Sequence, residues 1–204
     1  IFCDEAGEIV DGDKVIAICA DEMIRNGSLK GNTVVTTLMS NMALENFIKN
    51  KGVDFVRTEV GDRYVSEAMR ARGCNLGGEQ SGHIIFLDHT TTGDGTLAAL
   101  QVLAIMKREE KNLSELARII ELYPQLLLNV RIRERKDLGK IKNLSGLIRS
   151  NENRLSGKGR INIRYSGTEP ISRVMVEGED VTLIKEIADE LADAIQKDIG
   201  AEAS

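Results

Sequence analysis

The sequence predicts an α/β domain of layered βαβ type, followed by a small α+β domain in which one sheet is packed by helices. Three observations carry this. Between residues 12 and 122, β-branched runs alternate with amphipathic segments of helical spacing, the pattern of an α/β/α layer arrangement. Beyond Tyr123-Pro124 the strands alternate strictly, as in Arg160-Ile161-Asn162-Ile163-Arg164, and one long amphipathic helix follows. At 204 residues and 42% hydrophobic, the chain is long enough and apolar enough to give two domains a core each.

In chain order, residues 1–10 read as the end of a strand, with Glu5-Ala6-Gly7-Glu8 turning into Ile9-Val10. Asp13–Asn26 is a short helix stopped near Gly27. Residues 33–39 are β-branched and bounded by polar residues, which predicts a buried strand. Ser40 or Asn41 can cap the next helix, whose apolar face is Ala43, Leu44, Phe47 and Ile48 and whose stop is Gly52. Val53–Val60 alternates as a strand. Asp62–Arg72 is helical, with Val65, Ala68 and Met69 inward and Gly73 as terminator. His83–Leu87 is a short apolar strand. Thr96–Arg108 and Leu113–Leu122 are helices, the second opened by a capping box of Asn112 and Glu115. Leu126–Arg133, Arg160–Tyr165 and Arg173–Gly178 are the later strands, and the final helix carries Ile184, Ile187, Ala188, Leu191 and Ile195 on one face.

Charge and cysteine use narrow the classes. The formal charge is −5, so overall steering of nucleic acid is not indicated. Residues 129–164 nevertheless hold eleven Lys and Arg against three Asp and Glu, while residues 165–204 hold three against ten. The basic block is either a solvated face or part of an anion site; it has no aromatic residues on which bases could stack. No run approaches the roughly 18 uninterrupted apolar residues of a membrane span. The N-terminus has neither an initiator Met nor a secretion signal, and a chain opening mid-strand is expected to be a fragment. Cys3, Cys19 and Cys74 are odd in number and widely spaced, and only His83 and His89 could join them. That pattern argues against a zinc site or a disulfide framework and favours a reducing, cytoplasmic location. Cys19 and Cys74 read as small buried hydrophobes.

Two loops hold chemistry-bearing residues. In Gly77-Gly78-Glu79-Gln80-Ser81-Gly82-His83, three glycines release the backbone around a carboxylate, a hydroxyl and an imidazole. Glu79 and Ser81 could exchange hydrogen bonds with vicinal sugar hydroxyls; the alternative is an ordinary glycine-rich turn with a satisfied Glu and a core-edge His. In Arg164-Tyr165-Ser166-Gly167-Thr168-Glu169-Pro170, followed by Arg173, guanidinium forks, hydroxyls and glycine-freed amides suit a phosphate or a carboxylate; the alternative is a solvated turn. Asp11-Gly12-Asp13 and Gly93-Asp94-Gly95 read as helix caps, and Arg63 faces either a cleft or solvent. No Ser-His-Asp or Cys-His arrangement has a motif of its own.

These two loops, joined by Thr91-Thr92-Gly93-Asp94-Gly95, by Val60-Gly61-Asp62-Arg63-Tyr64-Val65 and by Arg173-Val174-Met175-Val176-Glu177, resemble the α-D-phosphohexomutase family in collinear order over nearly the whole chain. The resemblance implies a four-domain enzyme. Residues 1–25 would end the metal-binding second domain, 26–122 would form the third domain with its sugar-binding loop, and 126–204 the fourth with its phosphate-binding loop. Glu79, Ser81 and His83 would then face the sugar, and Arg164, Ser166, Gly167, Thr168 and Arg173 the phosphate. The reaction implied moves a phosphoryl group between the 6- and 1-oxygens of a hexose, glucosamine first, with mannose or glucose as alternatives. It runs through a phosphoserine and a bisphosphorylated sugar. The phosphoserine and the Asp-rich Mg²⁺ loop belong upstream of Ile1, so no catalytic or metal residue is expected in this chain. The remaining alternative is a non-catalytic phosphosugar or anion-binding module. The partner implied is a phosphosugar, with no nucleic acid and no membrane; a homodimer of the full-length enzyme is the one assembly considered. The family usually has Pro where Tyr165 stands and an aliphatic residue where Ser172 stands.

Overall fold

The computed structural model describes residues 1–201, so the last three residues of the expected fourth domain, 126–204, lie outside the described residues. It divides into two compact units between Leu122 and Tyr123.

The first unit opens with an antiparallel hairpin, β1 (Phe2–Cys3) and β2 (Ile9–Val10), and continues into helix α1 (Gly12–Arg25). Its sheet has four strands: β3 (Thr33–Thr37), β4 (Asp54–Thr58), β5 (Leu76–Gly78) and β6 (Ile84–Phe86), in the order β4-β3-β5-β6. β3 pairs in parallel with β4 and β5, and β5 pairs antiparallel with β6. All five residues of β3 are buried, as expected of a central strand covered on both faces. Val34 faces α1, α2 (Met42–Asn50) and α4 (Gly95–Glu109), joining Ile16, Leu44, Ile48, Val102 and Ile105 in one core. Val35 faces the other way, against Val65 and Met69 of α3 (Asp62–Arg72) and Ile85. That period-2 switch makes the unit a three-layer α/β/α sandwich.

Three features depart from the expected elements. Helix α1, expected before the division at residue 26, packs its Val15, Ile16, Ala17 and Ala20 into the first unit's own core. Gly77 and Gly78, read as loop, lie in β5, because a Cβ on Gly77 would overlap Met69 and the Val35 carbonyl, and one on Gly78 the His83 carbonyl. These glycines therefore serve strand and helix packing. The helix expected over Leu113–Leu122 is α5 (Leu113–Leu116) followed by one 3₁₀ turn. Its capping box is formed, and Ile120 goes extended with its side chain in the core.

The second unit is a three-stranded antiparallel sheet in the order β7 (Gln125–Arg131), β9 (Ile171–Gly178), β8 (Gly159–Tyr165). Val130, Val174 and Val176 pack on α7 (Val181–Ile199) through Ile184, Ile187, Leu191 and Ile195. Helix α6 (Leu144–Leu155) was not anticipated. It lies inside the basic block, and its Leu144, Leu147, Ile148 and Leu155 complete the core. At least four of the block's eleven cations are paired from within the unit. Arg154 reaches Glu186 and Glu190 of α7 at 2.8 and 3.0 Å, Lys158 reaches Glu179 at 3.0 Å, Arg160 reaches Glu177 at 2.6 Å, and Lys136 reaches Asp198 at 2.8 Å. No helix among the described residues is long and apolar enough to cross a membrane.

Candidate sugar and phosphate loops

The 79–83 segment is a closed turn between β5 and β6. The Glu79 N–H donates to the His83 carbonyl at 3.0 Å, and the Gly82 N–H to the Glu79 carbonyl at 2.9 Å. Gly82, at φ +95°, takes the left-handed conformation that the turn requires. Three neighbouring segments hold the turn. The Gly12 N–H, at the start of α1, donates to the Gln80 carbonyl at 2.9 Å, so close that a Cβ on Gly12 would overlap Glu79. The Gly61 N–H donates to Glu79 Oε1 at 3.0 Å. Gly61 offers no side chain to cap α3, so the Glu79 carboxylate supplies the negative charge that this helix start favours. The Gly93 N–H donates to His83 Nε2 at 3.2 Å, and Asp62 Oδ2 stands 3.4 Å from the same nitrogen.

The three expected sugar residues thus differ in availability. Ser81 is exposed, and its hydroxyl has no partner among the described residues. Glu79 is half-buried and aligned by one oxygen, leaving the other for a hydroxyl donor. His83 accepts the Gly93 amide proton at Nε2 and so ties the 91–95 loop to the turn. Sequence reasoning missed Gly12, Gly61 and Gly93 as supports, because close backbone approach leaves no pattern in one sequence. Asp11 and Asp94 cap α1 and α4, accepting the Lys14 and Leu97 N–H groups, and Arg63 is solvent-facing and paired with Glu67.

The 164–173 segment is the turn between β8 and β9. Arg164 and Arg173 lie directly opposite each other across the strands, an arrangement of like charges that costs stability unless a negative group compensates. Glu169 reaches Arg173 at 3.2 Å. Ser166 is buried, its N–H donates to the Ile171 carbonyl at 2.8 Å, and its Oγ accepts the Glu169 N–H at 3.3 Å. Gly167 and Thr168 are exposed at the tip. Tyr165, where the resembled family usually has Pro, donates its hydroxyl to the Lys136 carbonyl at 2.5 Å.

Among the described residues no three His, Cys, Asp or Glu side chains converge to hold an ion. Burial pushes the Cys19 thiol up to about 12 and raises that of Cys74, which keeps both protonated and inert.

Residues 11–123 match the family described as phosphoglucomutase/phosphomannomutase, alpha/beta/alpha domain III, and residues 127–194 match the phosphoglucomutase/phosphomannomutase C-terminal domain. The chain belongs to the phosphoglucomutase/phosphomannomutase family. The domain III match begins inside the residues expected to end the preceding domain, in keeping with the packing of α1. Among curated relatives, the chain is 54% identical over 203 residues to the phosphoglucosamine mutase of Geobacter sp. (strain M21) and 55% identical to that of Citrifermentans bemidjiense. In both cases all of this chain is covered but 45% of the relative, so the chain spans less than half the length of these proteins. Its fold is also that of the Aspergillus fumigatus N-acetylphosphoglucosamine mutase solved with GlcNAc-6P and magnesium. There the TM-score is 0.79 at 22% identity, over 95% of this chain and 49% of that one.

Proposed function

We propose that this chain is the sugar- and phosphate-recognising part of a phosphohexomutase that interconverts glucosamine 6-phosphate and glucosamine 1-phosphate. The observation that carries it is the identity of 54–55% with enzymes named phosphoglucosamine mutase, over the whole chain and including both loops. On the family resemblance residues 1–25 would end the metal-binding domain, although the domain III match begins at residue 11. The phosphoserine and the Mg²⁺ ligands belong to the part of the relatives that this chain does not span. A relative's structure with glucose 1,6-bisphosphate supports a bisphosphorylated sugar as the intermediate. The enzyme works in the cytoplasm, and the chain binds a phosphosugar.

A reaction in which a phosphoserine gives its phosphoryl group to one end of the sugar and takes back the phosphoryl group from the other end must bind the ring in two orientations. The useful contacts are those that survive the flip. Arg164, Arg173 and the 166–168 turn hold the phosphate that is not reacting, by charge and by donor direction. Glu79 and Ser81 hold ring hydroxyls, with His83 fixing the loop that carries them. Binding energy from these remote groups brings the reacting oxygen into line.

Alanine at Arg164 or Arg173 is expected to weaken glucosamine 6-phosphate binding by tenfold or more, since a charge-assisted hydrogen bond contributes about 1.5–3 kcal/mol. Calorimetric titration checks this; unchanged affinity in both variants contradicts the phosphate role.

A further inference from the structure

Arg135 stands in the segment after β7, outside both loops, yet its Nη2 donates toward three carbonyls of the phosphate turn. It lies 2.6 Å from Ser166 O, 3.3 Å from Gly167 O and 3.4 Å from Glu169 O. From the same segment the Ile132 N–H donates to the Pro170 carbonyl at 2.9 Å, and the Lys136 carbonyl accepts the Tyr165 hydroxyl. Residues 132–136 therefore strap the carbonyl edge of the turn.

Peptide planarity turns that contact into a statement about donors. In a trans peptide unit the C=O of one residue and the N–H of the next point in opposite directions. Drawing the Ser166 and Gly167 carbonyls onto one guanidinium therefore turns the Gly167 and Thr168 N–H groups together to the opposite side. Those two amides donate to no group among the described residues, and both residues are exposed. The third carbonyl, of Glu169, precedes Pro170 and has no N–H to aim. Two adjacent amides facing one way form a concavity suited to an anion.

We propose that Arg135 is a positioning residue: it touches no phosphate, but aims the Gly167 and Thr168 amides at one. This rests on the 164–173 turn being a phosphate site and says how its backbone is set. A planar guanidinium serves several carbonyls at fixed angles, which a compact, strongly hydrated ammonium does not. The Tyr165–Lys136 hydrogen bond gives the same strap a further attachment.

The test titrates inorganic phosphate into the chain and its Arg135→Lys and Arg135→Ala variants at low and high salt, following amide proton shifts by NMR. The expected result is that the Gly167 and Thr168 amide protons move downfield in the parent. Arg135→Lys, at unchanged net charge, binds roughly fivefold or more weakly, and Arg135→Ala at least about tenfold more weakly at both salt concentrations. Both variants lose the two shifts while the other resonances stay in place. A Lys variant with parental affinity, or an Ala loss that vanishes at high salt, reduces Arg135 to a charge and overturns the proposal. So does a parent that binds phosphate while those two protons stay still. A parent that binds no phosphate overturns the site itself, and the role of Arg135 with it. Should Arg135→Ala fail to fold, the Lys variant decides the matter.

Discussion

Asp13 is fully buried at the start of α1, where its Oδ2 accepts the Asn41 N–H at 2.7 Å. Burial pushes its pKa up to about 7; the Asn41 amide pulls it down and the nearby Asp11 charge pushes it up. The folded state therefore holds this proton more tightly than the unfolded chain, whose Asp titrates near 3.9. Its stability contribution is complete below about pH 4 and is lost as pH rises through about 7. Asp13→Asn keeps an acceptor for Asn41 and removes the charge. It should raise the melting temperature by several degrees at pH 8 and leave it nearly unchanged at pH 4, with a shift of about 2–4 °C per kcal/mol for a chain of this size. Equal shifts at both pH values would contradict the assignment. At the sugar turn, Glu79→Gln likewise preserves the bond from Gly61 while removing the charge. We expect glucosamine 6-phosphate affinity to fall by about tenfold, with inorganic phosphate affinity within twofold of the parent. Parallel losses for both ligands would place Glu79 outside sugar recognition.

Among the elements, the helices that hold the turns matter as much as the turns. Gly12→Ala leaves α1 a better helix former, yet its Cβ meets the Glu79 carbonyl and the Gln80–Gly82 backbone. The substitution should cost about 1–3 kcal/mol of stability and loosen sugar binding, measured by thermal melts and titration together. In the second unit, Leu191→Ala removes a fully buried side chain from α7 and should cost about 2–5 kcal/mol. Strongly periodic segments were legible in the sequence: α3 spans Asp62–Arg72 as expected, with Gly73 in the left-handed conformation at its end. β5 was not legible, because two of its three residues are glycines whose purpose is close packing against Met69 and His83. α6 was not legible because its apolar spacing is embedded in charge. The site residues were visible as residue types, but their supports, Gly12, Gly61, Gly93 and Arg135, act through backbone groups that single-sequence patterns do not mark.

At the scale of the whole molecule, two separate cores and the pairing of a basic block with an acidic helix define the chain. The block invites an anion-binding reading, but Arg154, Lys158 and Arg160 are matched by Glu186, Glu190, Glu179 and Glu177 within the second unit. Most of these pairs are exposed and contribute little individually, so added salt should lower stability only slightly. A chain beginning at Tyr123 carries a complete sheet, two helices and its own core. It should unfold cooperatively on its own, as followed by circular dichroism; a broad, non-cooperative melt would contradict its independence. The most direct test of the phosphosugar assignment is calorimetric titration of the chain with glucosamine 6-phosphate, glucose 6-phosphate and inorganic phosphate at two salt concentrations. The account predicts saturable binding in the order glucosamine 6-phosphate, glucose 6-phosphate, inorganic phosphate, weakened tenfold or more by Arg164→Ala and retaining its order at high salt. Binding that does not distinguish the three ligands and disappears steeply with salt would contradict it, leaving a basic surface in place of a phosphosugar site.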